Sequence, residues 1–464
     1  MNELVFSWKK ERGLPARGSL ALSRARVAGW KPASAVKMAA LLFRFSRFSG
    51  IYNPVNMKAT FSFYLLGIVF FASSILAENQ TVDTRIGKLE FTHDFANGYP
   101  TKETVEKLYD ERDFQRACQA YLWAIPAVSF AQWQRGLASF GAGNGDIAAI
   151  TSYDDRLGIL TPNATTPYYL VFDDLSGGPV VIDMPPNVRG GLSDAWQHAL
   201  PNTTQSAKYL VLGPGQEAPT DAAGFEVRRC PTFNMFVGIR ITATDPKEAA
   251  ALLAQFRAYP YAQRANPPAP KIVSPQGKKW SAMPPRGMDY WQRLNDVIQR
   301  EPIDERDRFF HEMLKPLGIE RGKPFKPDAR QTKILTDAAL VGEAMAKANT
   351  FERRFAGMMY RPDSHWHFAL QLDADAPDAF WDRLDQRAAW FYEAVGAGPD
   401  MAPKHPGALL GISRRLHRQV GRLARWRAVL QATCSSERAS QVILVGYALR
   451  RRHAFSAREQ TEDR

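Results

Sequence analysis

The sequence predicts an α+β fold: an antiparallel β-sandwich followed by a helix-rich region. Two observations carry this. Between about Ile150 and Arg240 five short runs rich in β-branched and aromatic residues recur: YYLVFDDL, GPVVIDMP, KYLVLGPG, FEVRRC and MFVGIRIT. Gly, Pro, Asn and Asp punctuate them, and no long helical pattern separates them, which argues against alternating βα units and a Rossmann or barrel enzyme. Beyond them, helical periodicity dominates.

The 464 residues, 45% hydrophobic and 23% charged, describe a globular chain long enough for two or three domains. The net charge of +13 would suggest nucleic acid or an anionic membrane as partner. Its distribution argues otherwise. Residues 1–56 hold 10 Lys+Arg against 2 Asp+Glu, and residues 413–464 hold 12 against 4, leaving 38 basic and 41 acidic residues in 57–412. The middle of the chain has no electrostatic footprint for nucleic acid.

Taken in order, residues 1–56 are rich in Arg and Ser, carry no recognisable chemistry and are expected to be disordered. They read as upstream sequence translated from a start chosen too early, with Met57 preferred over Met38 as the start. From Met57 to Ala77 the chain reads as a signal peptide: Lys58, an apolar stretch from Phe61 to Phe71, then small residues up to Ala77 before Glu78. It is short of the roughly 20 residues of a spanning helix. This predicts a periplasmic or secreted protein that meets the membrane only through this segment; the alternative is an uncleaved anchor in the inner membrane.

Residues 85–270 are assigned to the sandwich domain. A helix is expected over 101–121, opening on Thr101 near a capping-box pattern and ended or kinked at Pro126. The Asp173-Asp174-Leu-Ser-Gly-Gly run reads as a hairpin turn. Residues 246–258 read as a helix with Pro246 in its first turn, and the stretch to Arg286 as loop. Helices are expected over 288–300, 304–315, 328–348 and 377–396, within a helical region spanning 288–407. Asp328 is the cap of the third, with Ile334, Leu335, Ala338, Val341 and Met345 on one face.

Three cysteines, Cys118, Cys230 and Cys434, make neither a disulfide framework nor a zinc site. A Cys118–Cys230 bridge is conceivable after export, but separate semi-buried thiols are the preferred reading. No Walker loop, GxSxG, HExxH or paired CxxC is present, and no cofactor is implied. Asp194, Trp196 and His198 alternate. On a strand they would share one face, and an acid orienting an imidazole suits general base catalysis, making Asp194 and His198 the catalytic candidates. Asn163, Thr166, Tyr168 and Trp196, polar groups beside aromatics, are the candidates for binding a small polar ligand. His365 and His367 would share a strand face and are the metal candidates, with His198 or Asp194 as a third ligand. The pairs Asp154-Asp155 and Asp173-Asp174 are better read as turn chemistry than as a glycosidase pair.

The strings LTPNATTPYYLVFDDL, GGPVVIDMPP, GGLSDAW, KYLVLGPG, RRCPTFNMFVGIR and PDARQTKIL resemble the domain of unknown function 1254 family, over about Arg85 to Gly407. The resemblance implies a β-sandwich, a helical connection and a second β-rich domain, of unknown function 1214; it brings no settled enzymatic activity. Many members have Asn-x-Asp-Thr-x-Tyr where this chain has Asn163, Thr166 and Tyr168. Thr165 stands where Asp is common, so a base or ligand at that position would be missing here.

Residues 413–464 are dense in arginine and lack period. Ile443 to Phe455 can be encoded so that a one-base shift spells FWSVTLYDVDTR. Val429 to Gln441 can likewise yield SYKLHVPPNVPAR, and Arg422 to Ala428 GWLDGEP, as the second family domain should contain. A one-base frame disruption near Leu410 to Arg414 is therefore expected to have replaced that domain. The competing reading is a genuine basic tail that binds membrane or nucleic acid. These readings leave three functions open: an envelope protein binding a small polar ligand, an exported hydrolase, or an inactive truncated product with an apolar face left uncovered.

Overall fold

Alternation organises the centre of the chain. Along β4 (Tyr168–Asp174), Tyr169 and Val171 face one side, Leu170 and Phe172 the other, and both sides are buried. Strands covered on both faces lose the polar half of their period and read as continuous apolar runs. The computed structural model describes residues 79–152, 154–159, 166–355 and 383–394, with the strand segments 366–368, 412–415 and 443–444. They belong to one contact unit that begins at Asn79. The segments 1–56 and 57–77 lie outside the described residues.

The first sheet contains β3 (Ile147–Ile150), β4, β6 (Val188–Asp194), β9 (Asn234–Ile241) and β11 (Ile272–Val273), in the order β11-β3-β4-β9-β6. The second contains β5 (Val180–Met184), β7 (Ala207–Leu212), β8 (Glu226–Arg229) and β10 (Arg257–Pro260), in the order β10-β5-β7-β8. Pairing is antiparallel except at β11–β3 and β7–β8. Ile147, Val171, Val237 and Ile239 of the first sheet share one core with Ile182, Tyr209 and Val211 of the second, so the expected sandwich is present. All five runs read as strands are strands. A hairpin of β1 (Gln80–Thr84) and β2 (Gly87–Phe91) precedes them.

The outer face of the first sheet is covered by α1 (Lys102–Ala138), whose Phe130, Trp133 and Leu137 pack on Ile150, Leu170 and Phe172. Thr101 caps it, accepting from the Thr104 amide. The expectation that Pro126 ends the helix is corrected: α1 continues twelve residues beyond it. Proline removes one ladder hydrogen bond, but every residue from Ala120 to Phe130 is buried, so packing on two sides overrides the local penalty. Pro126→Ala should therefore raise stability by about 1–3 kcal/mol, read from the urea midpoint.

Behind α1 lie α3 (Met288–Arg300), α4 (Arg308–Leu314), α5 (Ala329–Phe351) and α6 (Leu384–Glu393). Tyr121 of α1 stacks on Tyr290 of α3 at 3.9 Å, and the Trp291 indole donates to the Leu335 carbonyl at 2.7 Å. Asp328 caps α5 in a capping box with Gln331. The buried stripe of α5 runs through Leu335, Ala338, Gly342 and Ala346, so Met345 falls to the exposed side. At Gly342 a Cβ would sit 2.6 Å from the Tyr121 ring, which is why the stripe passes through glycine there.

Three further expectations change. The helix α2 (Pro246–Gln255), capped by Asp245, is shorter than expected: Phe256 leaves it to bury in the sandwich core, and Arg257–Pro260 becomes the edge strand β10. The 173–178 segment is not a hairpin turn, because β4 and β5 lie in different sheets and it arches between them. Finally, α6 covers only Leu384–Glu393 of the helix expected over 377–396, where residues 377–382 and 395–396 lie outside the description. Strand β12 (Trp366–Phe368) pairs with β13 (Ile412–Arg415), which pairs with β14 (Ile443–Leu444). No helix among the described residues is long and apolar enough to cross a membrane.

Candidate functional site

Strand β6 ends at Asp194, and the chain turns back at once. The Asp194 amide bonds the His198 carbonyl at 2.9 Å, and Ser193 bridges Ala199. Asp194, Trp196 and His198 therefore do not alternate along a strand; the turn, not a pleat, brings His198 over Asp194. Gln197 takes a φ of 61°, which a non-glycine residue holds only under restraint. The restraint is visible: its amide bonds the Asp194 carbonyl, and its Nε2 donates to the Pro126 carbonyl at 2.9 Å.

Asp194 is 1% exposed. Its Oδ1 accepts the His198 amide at 2.8 Å and its Oδ2 lies 3.3 Å from His198 Nδ1. Burial pushes its carboxyl up, but hydrogen bonds from the His198 side chain and amide, with the Arg387 guanidinium, outweigh this and hold it below the usual range. On the other side of the ring, His198 Nε2 meets Arg306 Nη1 at 3.4 Å. A guanidinium can only donate, so Nε2 accepts and the ring proton sits on Nδ1, facing the carboxylate.

Aromatic rings line this turn. Trp196 packs on Trp123 of α1 at 4.5 Å, and Trp123 stacks on Phe310 of α4 at 4.9 Å. The Trp123 indole donates to Asp307 at 3.0 Å, and Asp307 also faces Arg306. Arg387 of α6 donates to the Trp196 carbonyl. His311 lies edge-on to Trp123; burial lowers its pKa, opposed by Asp307 and aided by Arg321. The result is an imidazole and a guanidinium, both partly exposed, at the edge of a buried aromatic cluster.

The other sequence candidates lie elsewhere. Tyr168 opens β4 and Thr166 lies two residues before it, whereas the register sets Asp194 opposite Met235 and Met235 opposite Asp173, near the strand's end. Five residues of strand, about 17 Å, separate the two levels, so Tyr168 and Trp196 are not brought together. Asn163 and His365 lie outside the described residues, and the side chain of His367, in β12, is also outside the description. No group of three or more His, Cys, Asp or Glu placed to hold a metal occurs among the described residues. Cys118 and Cys230 are buried and unbridged, with burial pushing their thiols up to about 11 and about 12. Neither is a ready nucleophile.

Of the paired carboxylates, Asp174 caps the turn by accepting the Ser176 amide, while Asp173 is buried and, among the described residues, meets no cation within ion-pair distance. Burial, opposed by the Asp174 amide and aided by the Asp174 and Asp146 charges, raises its pKa to about 6 from an ordinary 3.8. The folded pKa lies above the unfolded one, so this group's contribution is fully present below about pH 4 and is lost as pH rises through about 6. Asp173→Asn should stabilise the protein by about 2–3 kcal/mol at pH 8 and leave it nearly unchanged at pH 4, in urea melts at both pH values.

The sequence pointed to Asp194, Trp196 and His198 but not to Trp123, Arg306, Asp307 or Arg387. Arg306 reaches His198 across 108 residues of chain, which no local pattern encodes.

Residues 148–260 match the family described as "Protein of unknown function (DUF1254)", so the chain carries a DUF1254-like domain. The match covers the sandwich from β3 to β10. Among solved structures, the chain is similar to the VPA0106 protein from Vibrio parahaemolyticus. That likeness has 15% identity and a TM-score of 0.45, and covers 62% of this chain and 68% of that one. No curated protein matches the chain.

Proposed function

We propose that this DUF1254-like domain belongs to an exported envelope protein and binds a small anionic ligand at the edge formed by His198 and Arg306. The supporting observation is the Asp194–His198–Arg306 series. A buried carboxylate fixes the imidazole, and the imidazole meets a guanidinium beside it. At 32% side-chain exposure the Arg306 guanidinium is within reach of a ligand, and His198, with its Nδ1 on Asp194 and its Nε2 accepting from Arg306, orients it. The rings of Trp123, Trp196 and Phe310 provide an apolar floor, a common companion to a few placed polar groups. Export rests on the residue pattern from Met57 to Ala77; sequencing the mature N-terminus should find Glu78, and an intact leader would contradict it.

The binding test is a panel of small carboxylates, phosphates and neutral sugars, assayed by thermal shift on the full chain. At least one anion should raise the melting temperature saturably, and Arg306→Ala and His198→Ala should each weaken it about tenfold or more. Binding of neutral sugars alone, indifferent to Arg306, would overturn the reading. The Asp194–His198 hydrogen bond also favours a second reading, acid–base catalysis by an exported hydrolase. That reading requires turnover of an activated ester, phosphate or glycoside that His198→Gln abolishes. The reading-frame pattern after Leu410 supports a third element, loss of a second domain. Sequencing the gene across codons 405–464 tests it, since a single-base shift must restore an open second-domain frame.

A further inference from the structure

We infer that a second, separate site for a small anion is built around Arg156, taking a ligand with a carboxylate or phosphate group. The 3-10 turn Asp154–Gly158 follows β3 closely and leads toward β4. Arg156 is 3% exposed. Its Nη2 donates to the carbonyls of Thr151 and Thr166, each at 3.1 Å. Its Nε is buried without a partner. Among the described residues, no carboxylate oxygen lies within ion-pair distance of the guanidinium. The adjoining Asp155 is engaged instead with the Thr151 and Ser152 amides and the Thr151 hydroxyl. Leu160 to Thr165, which join this turn to Thr166 in the sequence, include no acidic residue.

A buried guanidinium cannot escape its desolvation by losing a proton, and neutral carbonyls compensate it only in part. An anion is the usual remedy, and the planar guanidinium matches the oxygens of a carboxylate or phosphate. The surroundings are rigid enough to present it. Trp280 donates its indole N–H to the Asp155 carbonyl at 3.1 Å, and the Ala282 amide donates to the Gly158 carbonyl at 2.9 Å. A Cβ at Gly158 would meet the Trp280 ring at 2.4 Å, so the turn and the indole are fitted to each other. The site stands at the Tyr168 end of β4, away from His198, and does not depend on the reading given for that edge.

The test uses the full chain in acetate, in inorganic phosphate and in chloride at matched ionic strength, followed by thermal shift and titration calorimetry. The expected result is a saturable rise in melting temperature with acetate or phosphate that chloride does not reproduce. A tenfold excess over Kd should give about 3 °C. Response to acetate alone identifies a carboxylate ligand, and response to phosphate alone a phosphate ligand. Arg156→Lys, which keeps the charge and loses the guanidinium plane, should bind about tenfold more weakly. Arg156→Met should lose one saturable component of the response, and Arg306→Ala should keep that component. If Arg156→Met does not fold, the Lys variant decides. No saturable response to either anion, or a response unchanged in the Lys variant, would overturn the inference. So would a response lost in Arg306→Ala but retained in Arg156→Lys, which assigns the anion to the other site.

Discussion

Gly190→Ala should unfold the protein or cost it about 4 kcal/mol or more, in urea melts followed by circular dichroism. Gly190 lies within β6 at φ +148°, paired to Ile239 of β9. A Cβ there would come 1.9 Å from the Gly238 carbonyl oxygen. The obstacle is backbone in a central strand, so no rotamer change relieves it. The edge strand β6 would have to separate from β9, and the turn carrying Asp194 and His198 would move with it. Gly215→Ala supplies the contrast: φ is +74° but nothing lies within 4 Å, so only the left-handed strain of about 1–2 kcal/mol applies. Equal losses at the two positions would show that close approach is not what Gly190 provides.

Asp194→Asn should leave the fold standing and damage the ligand edge. The amide oxygen can still accept the His198 amide, as Oδ1 does now. The amide nitrogen, however, would face His198 Nδ1 with hydrogens where the carboxylate presents a lone pair. The ring proton would then move to Nε2, opposite the Arg306 guanidinium, placing donor against donor. Arg306 would be displaced, and affinity for an anionic ligand should fall about tenfold to a hundredfold with a loss of stability near 1–2 kcal/mol. Asp194→Ala should cost more stability, about 2–4 kcal/mol, because it leaves the His198 amide without its acceptor. Calorimetric titration and urea melts of both variants separate the two effects. Equal affinity in wild type and Asp194→Asn would remove the imidazole from the site.

Much of this fold is legible in local pattern. The apolar runs from Tyr168, Val180, Ala207 and Asn234 are strands because both faces of both sheets are covered. Asp328 and Gln331 form the capping box that a short polar side chain ahead of a helical period suggests. Failures occur where distant contacts outweigh local preference. Pro126 sits inside a helix because the sheet and the helical layer press on it from two sides. The strand through Gly190 and Gly191 is hidden because glycine marks turns as readily as close backbone approach. Of the candidate site, the Asp194–His198 pairing was visible in spacing, but its geometry was not. Alternation suggested a strand face where the chain makes a tight turn with Gln197 in a left-handed conformation. Arg306 and Trp123 come from sequence-distant segments, so they become visible only when the helices are packed.

The most direct test of the Asp194–His198–Arg306 arrangement is the tautomer of His198, read from long-range 1H–15N correlations of the imidazole in wild type and in a His198→Gln control. The account predicts the ring proton on Nδ1, with Nε2 showing the shift of an acceptor. A ring protonated at Nε2, or one exchanging freely between tautomers, would contradict it, because neither Asp194 nor Arg306 would then be holding the imidazole.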